Sequence, residues 1–390
     1  MDDLTRLIHH PYRAPAGFDA VPPAVHKASS VLFPNVAALR ARDWRSKAGY
    51  TYGLHGTPTT FTLEQRIASL EGARHCVLAP SGLAALALVD LALLRAGDEL
   101  LLPDNAYGPG KDLARGLLAH WGIAHRVYDP LDVDALAAMI GPHTRLLWVE
   151  AAGSVTLEFP DLRGLVRVAR SHGLTVALDN TWGAGLAFKP FDLGAGLAVD
   201  LSMHALTKYP SGGADVLMGA VSTTDAALHE RLLLAHMQLG QGIGANDAEA
   251  VLRGLPSLAL RYDAQDAAAR RLAAWAQQQP GIARVLHPAL PGAPGHAHWA
   301  AHCTRAAGRC SLLFDAAVAS QRVDAFVDAL RLFRIGYSWG GPVSLAVPYD
   351  LTPMRQDRSR LPGTLVRLAI GLEAVDDLQA DLAQALAGLS

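Results

Sequence analysis

Cysteine is scarce in this chain. Only Cys76, Cys303 and Cys310 occur among 390 residues. Three isolated thiols give no disulfide framework, which points to a reducing compartment and a cytoplasmic protein. Charge of one sign never accumulates, and the formal net charge is −2. A nucleic-acid binder usually carries a basic stripe, and none is visible here. Long apolar runs are missing as well. The longest, positions 83–94, is broken by Asp90 and is shorter than the about 20 apolar residues that a membrane span needs. The opening stretch, positions 1–15, is mixed polar and lacks the apolar centre of a secretory signal. Lysine is rare too, with five in all.

Apolar residues are plentiful, at 51%, so the chain can bury a core and is not a disordered polymer. Residues 1–55 are rich in Pro, Gly and aromatics with weak periodicity, and read as an extended arm. From about 56 short apolar runs alternate with helical stretches. Strands are expected at 75–80, 99–103, 146–151, 174–178 and 201–205. Helices are expected at 81–95, 110–120, 132–140 and 162–172. That alternation predicts βαβ units, hence an α/β fold with a mostly parallel central sheet flanked by helices. A long helical region follows Gly244, with 249–255 and 263–279. A smaller α/β region closes the chain, including 309–314, 323–330, 365–372 and a last helix at 375–389. The organisation expected is an arm (1–55), a large domain (56–250) and a small C-terminal domain (251–390).

Three places carry chemistry. The string Ala79-Pro80-Ser81-Gly82-Leu83 turns a buried strand into an alanine-rich helix. The first helical turn leaves N–H groups unpaired, so a phosphate fits there, although Ser81 also reads simply as an N-cap. The string Thr175-Val176-Ala177-Leu178-Asp179 ends an apolar run in a carboxylate. Ligands of open α/β sheets bind at such strand ends, and an aspartate there can pair with a cationic ring nitrogen, or merely cap a turn. Finally, Leu201–Tyr209 delivers one of the few lysines, Lys208, beside an apolar run. Burial lowers a lysine's pKa and makes its amine nucleophilic, whereas a snorkelling surface lysine is the plain alternative. A phosphate cradle, a carboxylate and, 29 residues after it, a lysine are the parts that pyridoxal phosphate requires.

At this point the sequence resembles the Cys/Met-metabolism branch of fold-type I pyridoxal phosphate enzymes, over nearly the whole length. The strings that carry the resemblance are Tyr52-Gly53, Gly56-Thr57-Pro58-Thr59, Leu70-Glu71-Gly72, Ser81-Gly82, Asn105-Ala106-Tyr107, Asp179-Asn180-Thr181, Thr207-Lys208-Tyr209, Tyr337-Ser338-Trp339-Gly340-Gly341 and Arg367–Glu373. The resemblance implies a fold-type I transferase-like architecture and a cofactor held as a Schiff base on Lys208, which then shuttles protons. It implies that Asp179 pairs with the pyridine nitrogen and that Tyr107 stacks on the ring and takes part in catalysis. Gly82, Leu83, Ser202 and Thr207 are implied as phosphate ligands. Arg367 is implied to grip the substrate carboxylate, with Tyr337, Ser338 and Trp339 lining the substrate side. Tyr52 is implied to reach in from a neighbouring subunit, within a homotetramer built from dimers.

The implied reaction is β-elimination of cystathionine to homocysteine, pyruvate and ammonia in methionine biosynthesis, the Tyr-Ser-Trp-Gly-Gly string favouring β- over γ-acting relatives. A γ-lyase, a homoserine sulfhydrylase or a cysteine desulfhydrase are alternatives within the family, and a catalytically silent cofactor-binding regulator is one outside it. The sequence departs from the family at Leu54, where many members have a phosphate-binding arginine; neighbouring His55 is the candidate to compensate. It also has Gly213-Ala214-Asp215 where the family often has His-Ser-Asp.

Other motifs are set aside. Gly108-Pro109-Gly110-Lys111 lacks the P-loop spacing. Gly240, Gly242 and Gly244 do not follow a strand. His296, His298, His302 and Cys303 have no acidic partner and read as structural or surface groups rather than a metal site.

Overall fold

The computed structural model describes residues 3–9, 16–17, 20–355 and 361–388; positions 1–2, 10–15 and 18–19 of the expected arm lie outside it. Seven strands build the main sheet: β1 (His75–Ala79), β2 (Glu99–Pro103), β3 (Ala124–Tyr128), β4 (Thr144–Glu150), β5 (Thr175–Asp179), β6 (Leu201–His204) and β7 (Gly219–Thr223). Their spatial order is β1-β7-β6-β5-β4-β2-β3. β7 runs antiparallel to both neighbours, and the other pairings are parallel. The sheet is thus mostly parallel, as the strand–helix alternation implies.

Period-two alternation divides the apolar side chains between two layers. Leu101, Leu147, Val149, Val176 and Leu178 pack on one face with Leu63 and Ile67 of the helix Pro58–Glu71 and with Leu165 of the helix Leu162–Ser171. Leu100, Leu102, Leu146, Trp148, Ala177 and Met203 pack on the other, against Ala85 and Val89 of the helix Gly82–Leu93. Strands covered on both faces must be apolar nearly throughout. The short runs in the sequence have that character.

The second sheet has the order β10-β11-β12-β9-β8, from β8 (Ile282–Leu286), β9 (Arg309–Phe314), β10 (Arg334–Ile335), β11 (Leu345–Tyr349) and β12 (Leu365–Ala369). Cys310, Leu312, Phe314, Val366 and Leu368 form its own core with Val323 and Phe326 of the helix Ser320–Asp328 and with Leu378 and Leu382 of the helix Val375–Ala387. Its opposite face carries polar groups. Arg367 pairs with Ser311 and Ala369 with Arg309 across β12 and β9, so both arginines share one face, turned away from that core. The helix Leu258–Ala276 spans both cores. Leu258, Ala259 and Tyr262 join the large one, and Ala269, Leu272 and Ala273 the small one. Position 250 lies within the preceding helix, Ala245–Gly254.

Part of the N-terminal segment is helical, at Asp3–Ile8 and Val36–Arg40. Its other described residues include a 3-10 turn at Gly53–His55 and an isolated bridge between Ser30 and Tyr52. Val21 and Leu32 are 99% and 93% exposed.

Candidate active site

The site lies where β4, β5 and β6 end together. Glu150 closes β4, Asp179 closes β5 in register with it, and the chain leaving His204 on β6 delivers Thr207 and Lys208. Across this rim stands the turn Tyr337–Gly341, with Arg367 behind it on β12.

Lys208 Nζ donates to Ser338 Oγ at 2.7 Å and lies 5.5 Å from the Trp339 ring centre. Burial, then the cations Arg309 and Arg367, lower its pKa to about 8. The backbone around it is locked. The Tyr209 hydroxyl accepts from Gly308 N–H at 2.7 Å, and its ring packs edge-on to Trp339 at 5.4 Å. Ser338 has φ +90°, a conformation that costs a non-glycine residue energy and collects at functional sites. At Gly340, φ +78°, a Cβ would sit 2.9 Å from Tyr209 N. Only glycine lets the turn approach the lysine this closely.

Asp179 is buried, accepts from Thr181 N–H at 2.9 Å, and has its pKa raised by burial. A layer behind it is formed by residues that single motifs do not reveal. Glu71, the last residue of Pro58–Glu71, accepts from Asn180 Nδ2 at 3.2 Å and from the Ser202 hydroxyl. His204 Nδ1 lies 3.4 Å from Glu71 Oε1, and neither ring nitrogen of His204 has a hydrogen-bond partner. Ser202 is therefore not brought to the phosphate side: its hydroxyl is buried and turned to Glu71. Period two along β6 puts Ser202 and His204 on one face together, opposite Leu201 and Met203.

The cradle at the helix Gly82–Leu93 accounts for its first amides. Ala84 N–H goes to Ser81 Oγ and Ala85 N–H to Ser81 O, both at 3.0 Å. Gly82 and Leu83 N–H are left to point outward. A Cβ at Gly82 would meet Ala205 Cβ at 2.8 Å, so this position needs glycine for the helix to seat against the strand end. The Thr207 hydroxyl joins Met218 O and Met218 N–H at 3.2 and 3.0 Å.

Tyr107 opens the helix Gly108–Leu113, its N–H donating to Glu150 Oε2 at 2.7 Å. Burial and the nearby Asp179 carboxyl raise its pKa, so the phenol stays protonated. Arg367 is buried, donates through Nη2 to Ser338 O at 3.2 Å, and leaves Nε without an acceptor. Thr207, Tyr337, Ser338 and Trp339 line a cleft of about 420 Å³. A carboxyl, a phenol, an amine and a guanidinium thus lie within electrostatic reach of one another, beside a helix N-terminus.

A family model described as "Cys/Met metabolism PLP-dependent enzyme" matches residues 4–387. This chain belongs to that family. A "Cystathionine beta-lyase" of Bordetella avium is 41% identical, the match covering 92% of this chain and 90% of that one. A "Putative cystathionine beta-lyase" of Rhizobium johnstonii is 40% identical over 95% and 91%. The crystal structure of metB from Corynebacterium glutamicum superposes with TM-score 0.91 at 30% identity, covering 100% and 99% of the two chains. The family is pyridoxal phosphate-dependent, and the fold is that of the fold-type I enzymes.

The residues present suit that cofactor. Outward amides at Gly82 and Leu83 suit an anion, and the buried Asp179 carboxyl, held by Thr181, suits a ring N–H⁺ as a further donor. Two positions stand apart. Tyr52 is 45% exposed and packs edge-on to His55 at 5.9 Å. His55 is held by Thr51 Oγ1 at 2.8 Å and stacks on Trp44. Burial and Arg42 lower its pKa, so it is a poor substitute for the arginine replaced at Leu54. Sequence motifs also missed Arg309, buried at the start of β9 with its guanidinium 4.5 Å from the Trp339 ring centre. The signal was an arginine opening an otherwise apolar strand.

Proposed function

We propose that this protein cleaves cystathionine by β-elimination, giving homocysteine, pyruvate and ammonia. The observation that carries the reading is the Lys208 amine, with its lowered pKa, hydrogen-bonded to Ser338 in front of Arg367. Pyridoxal phosphate, when bound, supplies the electron sink that lets an amino acid lose its Cα proton and then its β-substituent.

The protein's part is binding, orientation and proton transfer. Gly82 and Leu83 N–H, with Thr207 nearby, would hold the phosphate. Asp179 would hold the ring nitrogen protonated, since burial next to a fixed cation favours the ion pair. Tyr107 offers its aromatic face to the ring. Arg367 meets the substrate carboxylate with its two-pronged donor. Lys208 Nζ, near its pKa around neutrality, can take and return a proton at the substrate Cα, and Ser338 Oγ aims it. Trp339 and Tyr337 border the space that the sulfur substituent enters.

The site also needs a second copy of the chain. Tyr52 makes no hydrogen bond to Lys208, Tyr107 or Arg367 among the described residues, and the segment that carries it leaves Val21, Leu32 and Val36 exposed. Such apolar surface suits burial against a partner, and we assign the assembly as a homotetramer of site-sharing dimers. No helix among the described residues is long and apolar enough to cross a membrane. Three free, buried cysteines suit a cytoplasmic location.

The test is product identity from L-cystathionine. Pyruvate with homocysteine supports the reading, and 2-oxobutyrate with cysteine overturns it.

A further inference from the structure

Arg309, at the start of β9, is buried beside Trp339. It is 2% exposed, and its Nε and Nη2 are sealed from solvent without a hydrogen-bond acceptor. A buried, unpaired guanidinium is unfavourable and is kept only where something compensates it. No carboxylate does so. The salt bridges of the described residues do not include it. Glu150 is the nearby acid, and burial and Asp179 raise its pKa well above the usual range, which disfavours the charged form that a counter-ion needs.

The surroundings are cationic instead. Arg367 lies on the same face of the sheet, two residue pairs further along β9 and β12. Lys208 feels Arg309 as the largest nearby charge acting on its amine. Trp339 carries the Arg309 guanidinium at 4.5 Å and the Lys208 amine at 5.5 Å from its ring centre. Three cations thus converge on the Ser338–Trp339 turn, with no anion hydrogen-bonded to any of them. Arg309 and Arg367 lie buried behind Ser338 and Trp339, two of the residues that line the cleft. Its rim is made of exposed groups, Tyr337 at 80% and Leu217 at 72%.

We propose that Arg309 is a second carboxylate-binding residue, sharing the α-carboxylate of an amino-acid substrate with Arg367. A carboxylate has lone pairs enough for both guanidiniums. The Trp339 face holds Arg309 in place by cation–π attraction while the ligand is absent. The proposal rests on the reading of this cleft as an amino-acid site, but not on which bond is cleaved.

The test uses the cofactor-loaded protein with L-alanine, which has no leaving group, and with ethylamine, the same amine without a carboxylate. In Arg309→Met the dissociation constant of L-alanine rises by about 10- to 100-fold, the range of a lost charge-assisted hydrogen bond. Ethylamine binding is unchanged, and Arg309→Lys recovers part of the loss. The melting temperature of ligand-free Arg309→Met equals or exceeds that of the parent, because an uncompensated charge has left the interior, while the rise caused by L-alanine shrinks. Should Arg309→Met fail to fold, Arg309→Gln carries the same comparison. Unchanged L-alanine affinity, or equal weakening of L-alanine and ethylamine, overturns the proposal. Pyruvate release by the parent protein is a separate measurement, so a wrong substrate and a wrong role for Arg309 give different results.

Discussion

Lys208 Nζ lies 2.7 Å from Ser338 Oγ, although 130 residues separate them in the chain. The contact joins a strand end of the large sheet to a turn of the small one. It also fixes where the amine points before any substrate arrives. Ser338→Ala keeps the unusual backbone and loses the acceptor. We expect kcat for pyruvate release to fall about tenfold with little change in KM, the pattern of a lost proton-transfer aim rather than lost binding. Steady-state kinetics on L-cystathionine check this.

The same amine has an unusual acidity. Its pKa falls from 10.5 to about 8 through burial, Arg309 and Arg367. In the cofactor-free protein, its reaction with pyridoxal should therefore rise through pH 8, and Lys208→Ala should abolish that component. The sign for stability follows. Between pH 8 and 10.5 the unfolded chain binds the extra proton, so this group adds stability as pH rises through that window.

Asp179 is buried and accepts hydrogen bonds from Thr181. Asp179→Asn keeps the shape and loses the charge that would hold a ring nitrogen protonated. Activity should drop roughly a hundredfold or more, whereas phosphate-dependent cofactor retention, measured by gel filtration and absorbance, should fall far less.

Gly82→Ala places a methyl group 2.8 Å from Ala205 Cβ. The helix must then shift from the strand end, with a stability loss of about 1–3 kcal/mol and weaker cofactor binding. Denaturant melts with and without cofactor measure both effects.

Asp90 accepts from Trp148 Nε1 at 2.8 Å in a buried position, and burial raises its pKa to about 7. A raised carboxyl penalises the fold once it ionises, so this group removes stability as pH rises from about 4 to 7. Asp90→Asn should leave the melting temperature near that of the parent below about pH 4 and exceed it by a margin that grows up to about pH 7. An upper bound for the gain is about 4 kcal/mol.

Much of the frame was readable because buried parallel strands are short apolar runs. β2 and β9 fall on the expected spans, and β1, β4, β5 and β6 end within two residues of theirs. β3 was not foreseen. Its residues Ala124-His125-Arg126-Val127-Tyr128 are an edge strand with two polar side chains, His125 and Arg126, which a local pattern reads as loop. β7 follows Pro and Gly with no helix before it, so nothing in its neighbourhood announces a strand. In the site, Lys208, Asp179, Tyr107 and Arg367 could be named from motif order. Glu71 stands in one of those strings, but its buried contacts with Ser202 and His204 could not be read, since they join side chains distant in sequence, and Arg309 stands in no motif. Ser202 shows the limit of adjacency: six residues from Lys208, its hydroxyl faces Glu71 on the far side from the cradle.

The helix Leu258–Ala276 is anchored in two cores at once. Neither sheet can melt while leaving the other its full packing, so heat or urea should dismantle both in one transition. The walls of the cleft then cannot swing apart as separate jaws, and traffic in and out must pass by way of the exposed turn at Tyr337.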